Sequence, residues 1–169
     1  MNKIYVIPYV FKSPNKPGDF LWMINQKQYD RILFLFNDNI RDHNTNLIGG
    51  GNACIRPYNM HGSHLPIRSS GIITGNRKGF DILNEEVMKI IDGCIDEVKA
   101  LIDTGNYDAI CYSSTSDEDN TIGTSIFKVD DDVKNYITDM IHSLGEVVKP
   151  DYLGLLEKNW NYLIYKLNH

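Results

Sequence analysis

Residues 31–36 read RILFLF, a run without polar interruption after Arg31, set between Tyr29-Asp30 and the turn-forming Asn37-Asp38-Asn39. A strand with one face in water alternates apolar and polar residues. A run that does not alternate predicts a strand buried on both faces, the kind found in parallel sheets covered by helices. Two similar runs follow, residues 70–74 (SGIIT) and 107–112 (YDAICY), and the β-branched and aromatic stretch 3–11 predicts another strand, ending at the turn SPNKPG. Between the last two runs, Leu83, Val87, Ile90, Ile91, Cys94, Val98, Leu101 and Ile102 recur at steps of three and four, which predicts a helix over 84–103. Asn84 caps it, Glu85 and Glu86 suit the positive end of its dipole, and Gly105 stops it. A second helix is expected from the acidic cluster 130–132 through Val133, Tyr136, Ile137, Met140, Ile141 and Leu144 to Gly145. A third is expected after Pro150, capped by Asp151, with Leu153, Leu156, Trp160, Leu163, Ile164 and Leu167 on one face. Strands alternating with helices predict one α/β domain over residues 1–169, a three-layer sandwich around a mixed, mostly parallel sheet.

A chain of 169 residues folds on its own core, so neither a disulfide, a metal nor a cofactor is called for. Cys54, Cys94 and Cys111 are odd in number and lack a C-x-x-C spacing, which argues against a disulfide framework or zinc ribbon and for a reducing compartment. The net charge of −5 argues against wrapping nucleic acid on a basic face, so an anionic ligand has to be met locally. No signal-like leader opens the sequence and no run approaches the ~18 apolar residues of a membrane span, so a cytoplasmic location is expected. The irregular stretch 37–69 is long for a compact domain, and ligand chemistry is expected at the strand ends that feed such loops.

Three segments carry candidate chemistry. The first is Gly49-Gly50-Gly51-Asn52-Ala53-Cys54-Ile55-Arg56. Glycines let backbone approach a ligand closely, and the residues after them open a helical turn whose free N–H groups suit phosphate oxygens; a flexible surface turn is the plain alternative, as is a surface ion pair for Arg56. The second is Ile122-Gly123-Thr124-Ser125-Ile126-Phe127, whose backbone donors and two hydroxyls can surround a diphosphate without a cation, or else form a turn into a short strand. The third, GIITGNRKGF over 71–80, places Thr74 and Phe80 around a basic turn with Arg77 and Lys78, which is either a ribose or phosphate contact or a solvated turn.

The order of these pieces resembles the macrodomain family, whose members bind ADP-ribose and its derivatives. The family pattern of an Asn-rich strand end, a glycine run entering a short helix, a strand ending in Thr-x-Gly-Phe/Tyr, then helix, strand and a Gly-Thr/Ser-Gly-Ile-Phe loop is matched by FLFNDN (34–39), GGGNACIR (49–56), GIITGNRKGF (71–80) and IGTSIF (122–127), over residues 30–145. The resemblance implies that Asn37 and Asn39 orient a ribose, and that Gly49, Gly50, Gly51, Asn52 and Ala53 face the distal ribose and diphosphate. It also implies that Gly123, Thr124, Ser125, Ile126 and Phe127 hold the phosphates; beside the resemblance, Arg56, Arg77 or Lys78 is expected to add a charge-assisted contact to phosphate, and Phe80 or Phe127 to stack on a ring. The chain departs from the hydrolytic members, which carry Asp after the glycine run where Asn52 stands here. An asparagine is no general base. Capture of an ADP-ribose-derived signal is therefore preferred to turnover; in the hydrolase alternative Asp38 and Asn52 are the catalytic candidates, and an acid from 117–119 is another. A second alternative is a protein-interaction module.

Other readings are weaker. His61 and His64, spaced H-x-x-H with His43 upstream, lack a third ligand at helical spacing, so exposed loop histidines are expected and no metal is assigned. Cys54 reads as a small packed residue, and Asp117, Glu118 and Asp119 as a solvated acidic tip. Trp160, Tyr162 and Tyr165 make the C-terminal helix a packing surface or a self-association face. The segment 57–68 lies outside the family pattern and is a candidate lid.

Overall fold

A computed structural model describes residues 3–124 and 128–148, so the expected third helix, and Ser125, Ile126 and Phe127, lie outside the described residues. Five strands, β1 (Tyr5–Val10), β2 (Ile32–Asn39), β3 (Ser69–Gly75), β4 (Ala109–Ser114) and β5 (Glu146–Val147), form one sheet in the order β3-β2-β4-β1-β5. Every pairing between them is parallel. The expectation of a mixed sheet is corrected on this point: each connection between paired strands crosses a face of the sheet, and among the described residues the only antiparallel contacts are the isolated bridges Gly75–Gly79 and Ser114–Ile122, made by segments that turn back at the strand ends.

The unbroken apolar run works as its sequence dictates. Leu33 and Leu35 point to one face, where they join Val6, Ile72, Ile110 and Tyr112 beneath α2 (Glu85–Ile102) and α3 (Asp131–His142). Phe34 and Phe36 point to the other, with Tyr5, Ile7 and Cys111, against Phe20, Met23 and Ile24 of α1 (Phe20–Ile24) and Ala53 and Ile55 of a 3-10 helix, Gly51–Tyr58. The two long helices start as read: Asn84 accepts the Val87 N–H, and Asp130 accepts the Asp132 N–H. The strand β2 runs on through Asn37, Asp38 and Asn39, where the sequence predicts a turn.

The direction of the crossovers fixes where a cleft can form. From β2 the chain passes to β3 at one edge of the sheet, and from β4 it passes to β5 at the other edge. Adjacent parallel strands whose exits diverge in this way leave a crevice at their carboxyl ends, the usual ligand site of open α/β sheets. Here β2 and β4 stay paired only as far as Phe34 and Cys111. Beyond that point β1 still holds one side of β4 up to Ser114, so the returning segment at Ile122 and Gly123 lies along the other side, in the split between β2 and β4.

Candidate functional site

Asn37, at the carboxyl end of β2, ties the two sequence-nominated loops together. Its main-chain N–H donates to Asn52 Oδ1 at 3.2 Å and its side-chain Nδ2 donates to the Gly123 carbonyl at 2.7 Å. The two glycine segments thus meet at one residue, at the split between the carboxyl ends of β2 and β4. Gly49 is packed: a Cβ there would lie 2.9 Å from both the Ala53 side chain and the Arg56 guanidinium. Gly51 has φ +59°, a left-handed turn that favours glycine, and it faces open space as Gly50 does. Ala53 closes the turn by donating to the Gly50 carbonyl, and Gly49 donates to the Ala53 carbonyl. The amides of Gly51 and Asn52 precede the first bond of the 3-10 helix, so no carbonyl of that helix can accept from them. Thr124 is half-buried beside Gly123.

Several nominated residues have other partners. Asn39 closes a turn with Asp42, accepting its N–H at 2.8 Å and donating to its carboxylate at 3.1 Å. Thr74 is buried, its hydroxyl directed to the Asp38 carbonyl at 3.4 Å. Phe80 packs on the α2-side core. Cys54 is half-buried against the α1-side core, and burial pushes its thiol pKa up, away from thiolate chemistry. Asp117, Glu118 and Asp119 are exposed.

Asp38 and Arg56 belong to a buried charge cluster beside the first loop. Arg56 is 1% exposed, and its Nη2 and Nε donate to Asp38 Oδ1 at 2.6 and 3.1 Å. The third guanidinium nitrogen, Nη1, donates to the Leu47 carbonyl at 2.8 Å and so holds the chain that leads into the glycine run. On the other side of Asp38, His43 Nδ1 lies 2.8 Å from Oδ2, while His43 Nε2 lies 2.9 Å from a Glu97 carboxylate oxygen on α2. Carboxylates only accept, so both ring nitrogens must donate and the ring is the imidazolium cation. Two carboxylates and two cations then balance in one buried row from α2 to the glycine loop. Sequence reading misses this row because its bonded neighbours are 5, 18 and 54 positions apart.

The charge on His43 has a measurable consequence. Burial works against it, but hydrogen bonds to Asp38, Cys94 and Glu97 outweigh burial, and the pKa is pushed up to about 12 from an ordinary 6.5. Below the ordinary value both folded and unfolded chains carry the proton and the full stabilisation is present. As pH rises past it, the unfolded chain sheds its proton while the folded chain keeps it, so stability falls toward the raised value. Urea unfolding between pH 6.5 and 9 is expected to show this as a loss of up to about 1.4 kcal/mol per pH unit, absent from His43→Gln. Equal slopes in the two proteins would contradict the charge assignment.

Of the H-x-x-H pair, His64 stacks on Tyr58 with ring centroids 4.3 Å apart, and among the described residues no group of three His, Cys, Asp or Glu is placed to hold a metal ion. The candidate lid is displaced too. Arg68 N–H donates to the Tyr58 carbonyl and the Tyr107 hydroxyl donates to the Ile67 carbonyl, which anchors the segment 58–68 at the amino ends of β3 and β4, opposite the crevice. No helix among the described residues is long and apolar enough to cross a membrane. Comparison with protein-family models, with curated proteins and with solved structures gave no match to this chain.

Proposed function

We propose that this chain captures an ADP-ribose-type nucleotide, or a signalling molecule derived from one, in the crevice between the carboxyl ends of β2 and β4. The observation that carries the reading is Asn37, whose two hydrogen bonds join the Gly49–Asn52 turn to the Gly123 segment at the topological switch point. The first loop offers backbone N–H groups with no Cβ in front of them at residues 50 and 51, and the Gly-Thr-Ser segment offers more donors and hydroxyls. Such a site meets a diphosphate through local dipoles, which suits a chain of net charge −5.

Capture is favoured over hydrolysis because Asp38, the carboxylate nearest the crevice in sequence, is committed. Its side chain is fully buried, and its oxygens accept from Arg56, His43 and the Asn39 N–H. A carboxylate that is buried and shared among these donors is not placed to take a proton from a water in the crevice. Asn52 accepts from Asn37 and has no basicity to contribute.

Titration calorimetry against ADP-ribose, cyclic ADP-ribose variants, NAD and AMP tests the reading. At least one is expected to bind, and Asn37→Ala is expected to weaken it roughly tenfold by releasing the Gly123 segment, while the main-chain N–H at residue 37 keeps its bond to Asn52. No binding by any of the four removes the proposal. Ligand recovered intact in stoichiometric amount after heat denaturation supports capture, whereas repeated turnover abolished by Asn52→Ala makes the protein a hydrolase.

A further inference from the structure

The first glycine loop is held by a side-chain chain that begins on the far side of the sheet edge. We propose that Glu97, on α2, is a positioning residue for the Gly49–Asn52 turn, acting through His43, Asp38 and Arg56. The importance of that turn for a ligand rests on the nucleotide reading above; the mechanical link does not.

The links are direct at each step. Glu97 accepts from His43 Nε2 with its two oxygens at 2.9 and 3.0 Å, and His43 Nδ1 donates to Asp38 at 2.8 Å. Asp38 accepts from two nitrogens of Arg56. Arg56 then donates to the Leu47 carbonyl and fills the space beside Gly49, where an added Cβ would touch its guanidinium. A planar guanidinium donates along fixed directions, so the angle at which Asp38 holds it sets where Nη1 meets the chain at Leu47. Asp38 is in turn fixed on its other oxygen by His43, and the ring can keep that direction only while its far nitrogen has an acceptor. Glu97 is the close acceptor, at 2.9 and 3.0 Å, with the buried Cys94 sulfur facing the same nitrogen at 3.9 Å as a weak second one.

The half-exposed end of the row is the useful one to change. The Glu97 side chain is 32% exposed, against 0% for Asp38 and 2% for Arg56, so replacing it leaves the core folded. Two local bonds report the state of the turn: the Gly49 N–H donated to the Ala53 carbonyl and the Ala53 N–H donated to the Gly50 carbonyl.

The experiment is hydrogen exchange of ligand-free protein followed by NMR, with Glu97→Ala and Glu97→Gln. Exchange at Gly49 and Ala53 is expected to quicken about tenfold in Glu97→Ala, the loss expected for one half-exposed charge-assisted hydrogen bond, with the α2 and β4 amides unchanged. Glu97→Gln keeps an amide oxygen for Nε2–H and is expected to restore most of the protection. The two downfield imidazole N–H resonances of His43 should be seen in wild type and in Glu97→Gln, and the Nε2–H signal should vanish in Glu97→Ala. Unchanged exchange at Gly49 and Ala53, or an equal rise at every amide, overturns the proposal. Because no ligand is present, loosening of the turn in a protein that binds none of the four nucleotides would keep this link and remove the nucleotide reading alone.

Discussion

Asp38→Asn is expected to cost about 3–5 kcal/mol of folding stability, read as a lower urea midpoint with an unchanged slope. The substitution conserves shape, but it removes the charge and puts an N–H donor where one carboxylate oxygen had accepted. Arg56 then loses its carboxylate partner and His43 keeps only Glu97, and the cost is that of a buried guanidinium left uncompensated beside a mismatched amide. Replacing both Asp38 and Arg56 with apolar residues of similar volume should recover much of the loss, since it removes the stranded charge with its partner. Gly71→Ala should disturb the same cluster sterically: a Cβ at Gly71 would come within 2.3 Å of Asp38 Oδ2 across the neighbouring strand. A loss below about 1 kcal/mol for Asp38→Asn would mean that water reaches the cluster and screens it.

This cluster marks the boundary of what the sequence makes legible. Strands without alternation and a helix with sustained three-and-four spacing state their own burial, so β1 to β4, α2 and α3 could be placed within a few residues. The two-residue β5 is too short to carry any period, and the five residues of α1 span little more than one turn. Both follow from packing against neighbours already in place. At the site, the glycine run and Gly-Thr-Ser segment were nominated by local chemistry, and Asn37 brings the described part of each together. What local chemistry cannot show is which polar groups are spent on one another. Arg56 and His43 looked like a phosphate contact and a weak metal ligand, yet each faces Asp38. The sequence carries only half of the signal, an aspartate two residues beyond an all-apolar run; that the strand continues through it, and so calls for a buried counter-charge, is visible only in the fold.

Arg68→Met is expected to cost about 3 kcal/mol of stability while leaving exchange at Gly49 and Ala53 unchanged below the unfolding transition. Arg68 sits just before β3 and donates to three backbone carbonyls, those of Ile24, Tyr29 and Ile32, with its guanidinium 5.8 Å from the Phe34 ring centroid. Burial holds its pKa below the usual arginine value, yet no side-chain carboxylate among the described residues hydrogen-bonds it, so the carbonyl oxygens carry its solvation. Methionine fills the space of the side-chain stem but leaves those carbonyls without a donor. Lysine keeps the charge and fails for a different reason: one ammonium at the end of a flexible stem cannot reach three carbonyls that a planar fork spans, so Arg68→Lys should recover less than half of the loss. All three acceptors belong to the connection between β1 and β2 or to the first residue of β2, at the amino edge of the sheet, whereas the glycine turn belongs to the carboxyl edge. Thermal unfolding with and without nucleotide then separates the two edges. The midpoint should drop in Arg68→Met, while the upward shift given by saturating ligand stays as in wild type, because that shift depends on affinity for the folded state. A shift that shrinks together with the midpoint would mean that the amino edge sets the crevice geometry, and the separation of anchor from site would be wrong.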